Sequence, residues 1–425
     1  MTVRDPAVHN KAVHACDILV IGGGPAGSTA ATLLARDGYD VVMVEKDSHP
    51  RFHIGESLLP CNLPILRDLG VLDQVAAMGV YKPGAEFVSD TDDRCVPFPF
   101  RCAIGAKTDH AYQVVRADFD ALLFRNAGRH GAKTFENTRV LSVRFQPGQR
   151  ASVRTRDTAG IEQVYVPRFV LDASGRDGLL SAQTGRREAN KKNSTAAIFG
   201  HFRDVPRRAG DMGGYISIHL VKDGWFWMIP LPEGVMSVGF VGDKVAYREH
   251  KGPVTDLFWK KVAQSPSVAQ RMSAAQALSP LSTTSNYSYC AQKAWGDGYY
   301  LIGDAYAFLD PVFSSGVLLA MRSAYRGANV ARAWLRDPEA GKRAAVRAER
   351  RTQREMRRIA WLIYRINTPV LRTLFLNPRN ILRMRDAIIS LLAGDFAAGW
   401  PVLVPFGAFK AVVGITWLKK KLSKE

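Results

Sequence analysis

Gly22, Gly24 and Gly27 follow the apolar run DILVI and precede PAGSTAATLLARDG, so they stand where a buried strand turns into a helix. Each glycine has a use at that spacing. The first permits a tight turn, the second lets the backbone approach a pyrophosphate, and the third lets helix and strand pack closely. The helix start adds unpaired N–H groups and a partial positive charge for phosphates. Glu45 ends the next apolar run, YDVVMV, where it can accept hydrogen bonds from ribose hydroxyls. These residues specify a dinucleotide and leave FAD and NAD both open. Lys82, in the loop-like YKPGAEF beside Pro83 and Gly84, reads from its context alone as a loop surface residue, and it could do chemistry only if it were enclosed. An amine moved into an apolar pocket loses proton affinity through desolvation and becomes a nucleophile.

The elements that must position these groups are legible in outline. DILVIGGG, PAGSTAATLLARDG and YDVVMVEKD read as strand, helix and strand, and residues 51–70 as loop and helix. The stretch from there to about residue 110 is rich in Pro, Gly and Asp and is expected to be irregular. VVRADFDALLFRNAGRHGA predicts a helix entered through Asp118, and RVLSVRFQPGQRASVRTRD with QVYVPRFVLDASG predicts hairpin-forming strands. Alternation in YISIHLVKDGWFWMIPLPEGVMSVGFVGD marks a second strand-rich region at about 194–243. YYLIGDAYAFLDPVFSSGVLLAMRSA returns to strand, loop and helix. The expected fold is α/β, with a Rossmann-type nucleotide-binding domain in a three-layer ββα arrangement. The division expected is 1–190 with 285–330 (including inserted segments around 80–115), a β-sheet substrate domain at 191–284, and a helical region at 331–425.

The chain has 425 residues and 58 Lys+Arg against 39 Asp+Glu, a formal charge of +19. Apolar residues at 47% and charged residues at 23% are globular usage, which excludes a fibrous or small disulfide-stapled protein. Five cysteines (Cys16, Cys61, Cys95, Cys102, Cys290) show no metal-ligand spacing, and no metal is expected. The N-terminal residues carry no apolar signal core, so a cytoplasmic protein is expected. Between Arg322 and Arg385 the chain holds 16 arginines and one lysine against four acidic residues. That charge suits a solvated helix face or a docking surface for an acidic partner or anionic lipid; no nucleic-acid motif accompanies it. FAAGWPVLVPFGAF and AVVGITWL then lead to Lys419, Lys420, Lys421 and Lys424. Pro401, Pro405 and the glycines are expected to break any long helix there. The segment reads as pocket-closing or dimer-packing, with shallow membrane contact as the alternative.

Several motifs resemble the FAD-dependent monooxygenase superfamily and, within it, the flavin-dependent halogenases, over about Asp17 to Ala324. GGGPAGS at 22–28, VRADFD at 115–120 and LIGDA at 301–305 are superfamily features, and FHIGESLLP at 52–60 is closer to the halogenase branch. Trp225-Phe226-Trp227-Met228-Ile229-Pro230 matches the branch's W-x-W-x-I-P, and Phe308-x-x-Pro311-x-x-Ser314-x-Gly316 matches F-x-x-P-x-x-S-x-G. The resemblance implies FAD contacts at Gly22, Gly24, Pro25, Ala26, Gly27, Glu45, Lys46, Ser57, Arg116, Asp304 and Gly316. It implies a halide site at Ser315 and Gly316, a partition between flavin and substrate at Trp225, Trp227 and Phe313, and Lys82 as the catalytic lysine.

The same resemblance implies a mechanism and partners. Reduced FAD from a separate flavin reductase would react with dioxygen to a C4a-hydroperoxide, chloride or bromide would become hypohalous acid, and Lys82 would deliver the halogen. Tryptophan halogenases carry a glutamate where this chain has Phe313. Its absence points to a phenol or pyrrole that stabilises its own positive charge, either free or tethered to an acidic acyl carrier protein. The alternatives are an FAD-dependent aromatic monooxygenase or prenyl-reductase-like flavoenzyme, and a non-catalytic flavoprotein docked on carrier protein or membrane. His53 and His110 read as structural or simple hydrogen-bonding groups.

Overall fold

The computed structural model describes residues 12–422, apart from 91–93, 106–107, 185–186, 190–194 and 286–287. Lys424 therefore lies outside the described residues. The opening unit folds as expected: strand β1 (Val13–Ile21), helix α1 (Pro25–Arg36) and strand β2 (Val41–Val44). β1 lies in a parallel sheet between β2 and the strand Glu162–Asp172, which is followed outward by Tyr299–Leu301; Lys133–Phe135 pairs beyond β2. The late return of 299–301 to this sheet is why α/β character reappears far along the sequence. Both faces of β1 are covered over its second half, so Ile18 to Ile21 are all buried without alternation, while Val13 to Ala15 at its start are exposed.

A second, mostly antiparallel sheet runs in the order Thr195–Arg203, Met236–Asp243, Gly224–Pro230, Ile216–Val221, β4 (Gly84–Ser89), β5 (Cys95–Pro99). Here the structure corrects the expectation of an irregular stretch, because β4 pairs in parallel with Ile216–Val221. The strand was hidden because all six of its residues are buried, polar Glu86 included. Glu86 is satisfied by Arg208 Nε at 2.7 Å, with Ser217 Oγ also donating to it. β3 (Val80–Lys82) and β6 (Ala111–Gln113), far apart in sequence, pair antiparallel in a separate two-stranded ribbon.

The Gly224–Pro230 strand serves two cores. Trp225, Trp227 and Ile229 face the main core, whereas Phe226 and Met228 join a separate cluster with Phe202, Phe240 and Phe258 beneath the helices 254–271. Successive side chains of a strand point to opposite faces, so the alternation in the sequence places each set.

Two helix boundaries differ from expectation. The helix expected to enter through Asp118 begins at Arg116 and runs to Arg129, with Asp118 in its first turn, where a carboxylate favours the exposed N–H groups. The C-terminal region forms one continuous helix, Trp400–Leu422, rather than broken pieces. Pro401 falls in the first turn, where its missing N–H has no partner to lose, and Pro405 removes a single backbone bond. This helix is long and apolar enough to cross a membrane by length and composition. The arginine-rich segment contains the 26-residue helix Pro338–Ile363, capped by Asp337 through the N–H groups of Glu339 and Ala340.

Candidate functional site

Where β1 meets α1, the glycines behave as their spacing requires. Gly22 has φ +103°, and a Cβ there would overlap the Ala173 carbonyl. A Cβ on Gly27 would overlap the Gly22 carbonyl oxygen itself, whereas at Gly24 the nearest atom is Arg51 Nη2 at 3.7 Å. The turn is thus closed behind and open in front. Gly24 offers no side-chain cap, so the first N–H groups of α1 are left for a ligand.

These groups open onto a cavity of about 430 Å³ between the two sheets. Gly22, Gly24, Pro25, Ala26, Glu45 and Lys46 line one end of it. Ser57, Arg116, Asp304, Gly316, Trp225 and Trp227 line the rest. Twelve positions chosen from the sequence therefore meet on one wall. The start of the Gly316–Arg336 helix also faces the cavity without a side-chain cap or an acid in its first turn, giving a second set of donors.

Glu45 has a task beyond ribose. Its Oε2 accepts from Gly23 N–H at 2.7 Å and its Oε1 from Asp47 N–H at 3.1 Å, with Arg51 Nη2 3.4 Å away. The carboxylate therefore braces the glycine turn and keeps lone pairs for a ligand. Lys46 pairs with Asp177 near the solvent side. Arg116 is buried, bonded to both oxygens of Asp120 and to the Ile54 carbonyl at 2.7 Å, so its charge is neutralised and its position fixed. His53, against the same wall, is a hydrogen-bonding group as expected, its Nδ1 at 2.8 Å from the Ile54 carbonyl oxygen. The neighbouring Arg116 cation and burial lower its pKa to about 4, so the ring is neutral. His110 stacks on Tyr81, away from this wall.

Gly27, Ser315, Phe313 and Lys82 lie off the cavity wall. Gly27 acts from behind, against Gly22. Ser315 is buried at the cap of the 316–336 helix, between the wall residues Ser314 and Gly316. Phe313 packs among Phe87 at 6.3 Å and Phe375 at 6.3 Å, in an aromatic cluster completed by Phe98. Lys82 is 1% exposed. Its Nζ donates to the Leu58 carbonyl at 2.8 Å and sits 5.2 Å from the centre of the Phe100 ring. Leu58 directly follows Ser57, so the amine is held immediately behind the wall. Burial alone lowers its pKa from 10.5 to about 7. Among the described residues, no charged partner opposes that desolvation.

Sequence reasoning missed a pair formed by the buried wall residue Glu56 and the half-buried His201 behind it. Glu56 lines the cavity and holds His201 Nε2 at 2.5 Å. Burial disfavours the imidazolium, but the Glu56 hydrogen bond and charge outweigh it and raise the His201 pKa. Glu56 Oε2 and Ser57 Oγ are buried with no hydrogen-bond partner among the described residues, so the wall carries unspent polar capacity. The two partners are 145 positions apart and only the second sheet joins them, which is why no local signal announced the pair. Glu56→Gln is expected to drop the His201 pKa below its ordinary value, because burial then acts unopposed. An NMR titration of the His201 ring would read this; an unchanged midpoint would mean that the pair does not form in solution.

The residues fit FAD. A glycine turn closed behind at Gly22 and Gly27 and open in front at Gly24, uncapped helix starts for the pyrophosphate, a carboxylate for ribose, and unpaired Glu56 and Ser57 oxygens supply what the cofactor requires. Among the described residues no group of three or more His, Cys, Asp or Glu could hold a metal.

Comparison with known proteins agrees. Residues 15–353 match the family model described as FAD binding domain. The chain is 37% identical over 313 residues to the tryptophan 2-halogenase of Chondromyces crocatus, covering 72% of this chain and 59% of that protein, so it spans less than two thirds of that relative's length. It is 34% identical over 336 residues to a 1H-pyrrole-2-carbonyl-[peptidyl-carrier protein] chlorinase of Pseudomonas fluorescens, covering 73% of this chain and 74% of that one. Among solved structures, the myxobacterial chondrochloren halogenase CndH superposes with a TM-score of 0.78 at 33% identity, covering 82% of each chain. On a cavity built for FAD and on matches of that identity and span, the chain belongs to the flavin-dependent halogenase family of FAD-binding proteins.

Proposed function

We propose that this protein halogenates an electron-rich phenol- or pyrrole-type aromatic, with Lys82 as the residue that carries the halogen to the ring. The observation that supports this most is the Lys82 amine: wholly buried, directly behind the cavity wall, and poised near pH 7 by desolvation. Reduced and bound, FAD supplies the activated oxygen that oxidises halide; every other task falls to this chain's own groups. Backbone N–H groups at the Ser315–Gly316 helix start hold the halide. Trp225 and Trp227 screen the cavity from the aromatic substrate, so the oxidant rather than the substrate crosses the partition. The neutral Lys82 nitrogen takes the halogen from hypohalous acid while the N–H proton it sheds joins the departing hydroxide as water. The ring carbon then takes the halogen as the N–halogen bond breaks, and the ring proton passes to the nitrogen, restoring the amine.

Phe313 supports the phenol or pyrrole reading. Set between Phe87 and Phe375, that position offers no partner to a carboxylate, so an anion that stabilised a cationic ring intermediate would be costly there. A substrate that disperses its own charge removes the need. The pyrrole chlorinase relative acts on a carrier-bound substrate, and the basic arginine segment suits an acidic carrier here. Incubation with reduced FAD, oxygen and bromide, and with free and carrier-tethered phenols and pyrroles, is expected to give a product with a single-bromine isotope doublet. Hydroxylated product without halogen would instead assign the chain to aromatic hydroxylation.

A further inference from the structure

The C-terminal helix is apolar on two opposite faces, and only one is covered. Val402, Phe406, Phe409 and Val413, spaced at helical period, are buried against the body of the protein. Half a turn away, Trp400, Val404, Ala411, Ile415, Leu418 and Leu422 form a second apolar stripe, and every one is exposed. Trp400 is 79% and Leu422 is 71% exposed. A helix apolar all round is normally buried on all sides, and an uncovered stripe of this length marks an interaction surface.

Cations frame the stripe. Lys419, Lys420 and Lys421 are exposed at its far end. At its near end, Arg347, Arg350, Arg351, Arg354 and Arg358 line a groove of about 390 Å³ that also includes Ala397, three residues before Trp400. Arg358 ties the two elements together by donating to the carbonyls of Phe396 and Ala398. The one carboxylate in the groove, Glu355, is already shared among Arg322, Arg326 and Arg351, so the groove keeps an excess of positive charge.

We propose that this stripe and the arginine groove seat the protein on an anionic lipid surface, with the C-terminal helix lying in the plane of the interface. Lipid provides both halves of the match: acyl chains for the stripe and headgroup phosphates for arginine and lysine. A second copy of the chain would cover the stripe but set cation against cation, on a molecule of charge +19. An acidic carrier protein would satisfy the groove and leave the stripe wet. The helix does not span the bilayer, since Val402 to Val413 remain packed on the protein.

The test is sedimentation of the full chain with vesicles of phosphatidylcholine alone and with phosphatidylglycerol added. Binding to the anionic vesicles is expected, at least about tenfold tighter than to the neutral ones and weakened by salt. Ile415→Asp with Leu418→Asp, and separately Arg350→Glu with Arg354→Glu, should each weaken it about tenfold or more. Both pairs are exposed, so melting temperature and turnover of a free aromatic substrate, one not tethered to a carrier, should match the parent. The proposal is overturned by equal binding to both vesicle types or to neither, or by stripe variants that bind like the parent. A dimer that the stripe variants dissolve would overturn it in favour of self-association. Loss of carrier binding in the arginine variant alone, without vesicle binding by the parent, would overturn it in favour of a protein partner.

Discussion

Lys82→Met should yield a protein that still binds FAD, is more stable than its parent below pH 7, and halogenates on the order of 10³-fold more slowly. The three outcomes share one cause. In the unfolded chain the amine titrates near 10.5, and in the fold burial lowers it to about 7. Between those values the unfolded state holds a proton that the native state does not, so parental stability falls as pH drops through this window. The full loss, reached below about pH 7, is roughly 4–5 kcal/mol. Methionine carries no such penalty, and leaving the buried Leu58 carbonyl without its donor offsets only about 1–3 kcal/mol of that gain. Urea unfolding at pH 6 should therefore favour the variant, with the gap closing toward pH 10. The parent's halogenation rate should rise through pH 7 as the amine becomes neutral. A variant that keeps full turnover would remove the lysine from the mechanism, and equal stabilities at pH 6 would mean that the ammonium is solvated.

The second large effect is expected at Gly27, which touches no ligand. A methyl group there would lie 1.9 Å from the Gly22 carbonyl oxygen, a backbone atom that cannot swing aside. Relief requires α1 to move off β1, which displaces the N–H groups at Gly24 and opens the turn braced by Glu45. Gly27→Ala should weaken FAD binding on the order of 100-fold and abolish the rise in melting temperature that added FAD gives the parent. Flavin fluorescence titration and thermal melts would measure both. Unchanged affinity would show that the helix can retreat without disturbing the cradle.

Much of the cavity was readable because local rules govern it. A glycine turn, the helix it opens and the following strand are set by backbone sterics, and the Trp225–Trp227 spacing by the two-residue repeat of a strand. What escaped depends on long-range pairing or satisfied polar burial. β4 carries Glu86 into the interior with Arg208 as partner, so no hydrophobic pattern revealed a strand. Glu56 and His201 meet only after the second sheet is built, and Phe375 reaches Phe87 from a helix almost three hundred residues later. In the C-terminal helix, Pro401 falls in the first turn, where no N–H bond is lost, and Pro405 lies inside the helix and forfeits one backbone bond without ending it.

The strand Gly224–Pro230 has a practical consequence for altering what this protein accepts. Positions 225, 227 and 229 face the cavity while 226 and 228 hold the sheet to its outer helices. A combinatorial library confined to the first set would vary the cavity lining at some cost to the main core those residues share, while leaving the outer layer that anchors the strand untouched. The same library at the even-numbered sites would mostly return unfolded clones. Residue parity along seven positions thus separates selectivity from robustness in this scaffold.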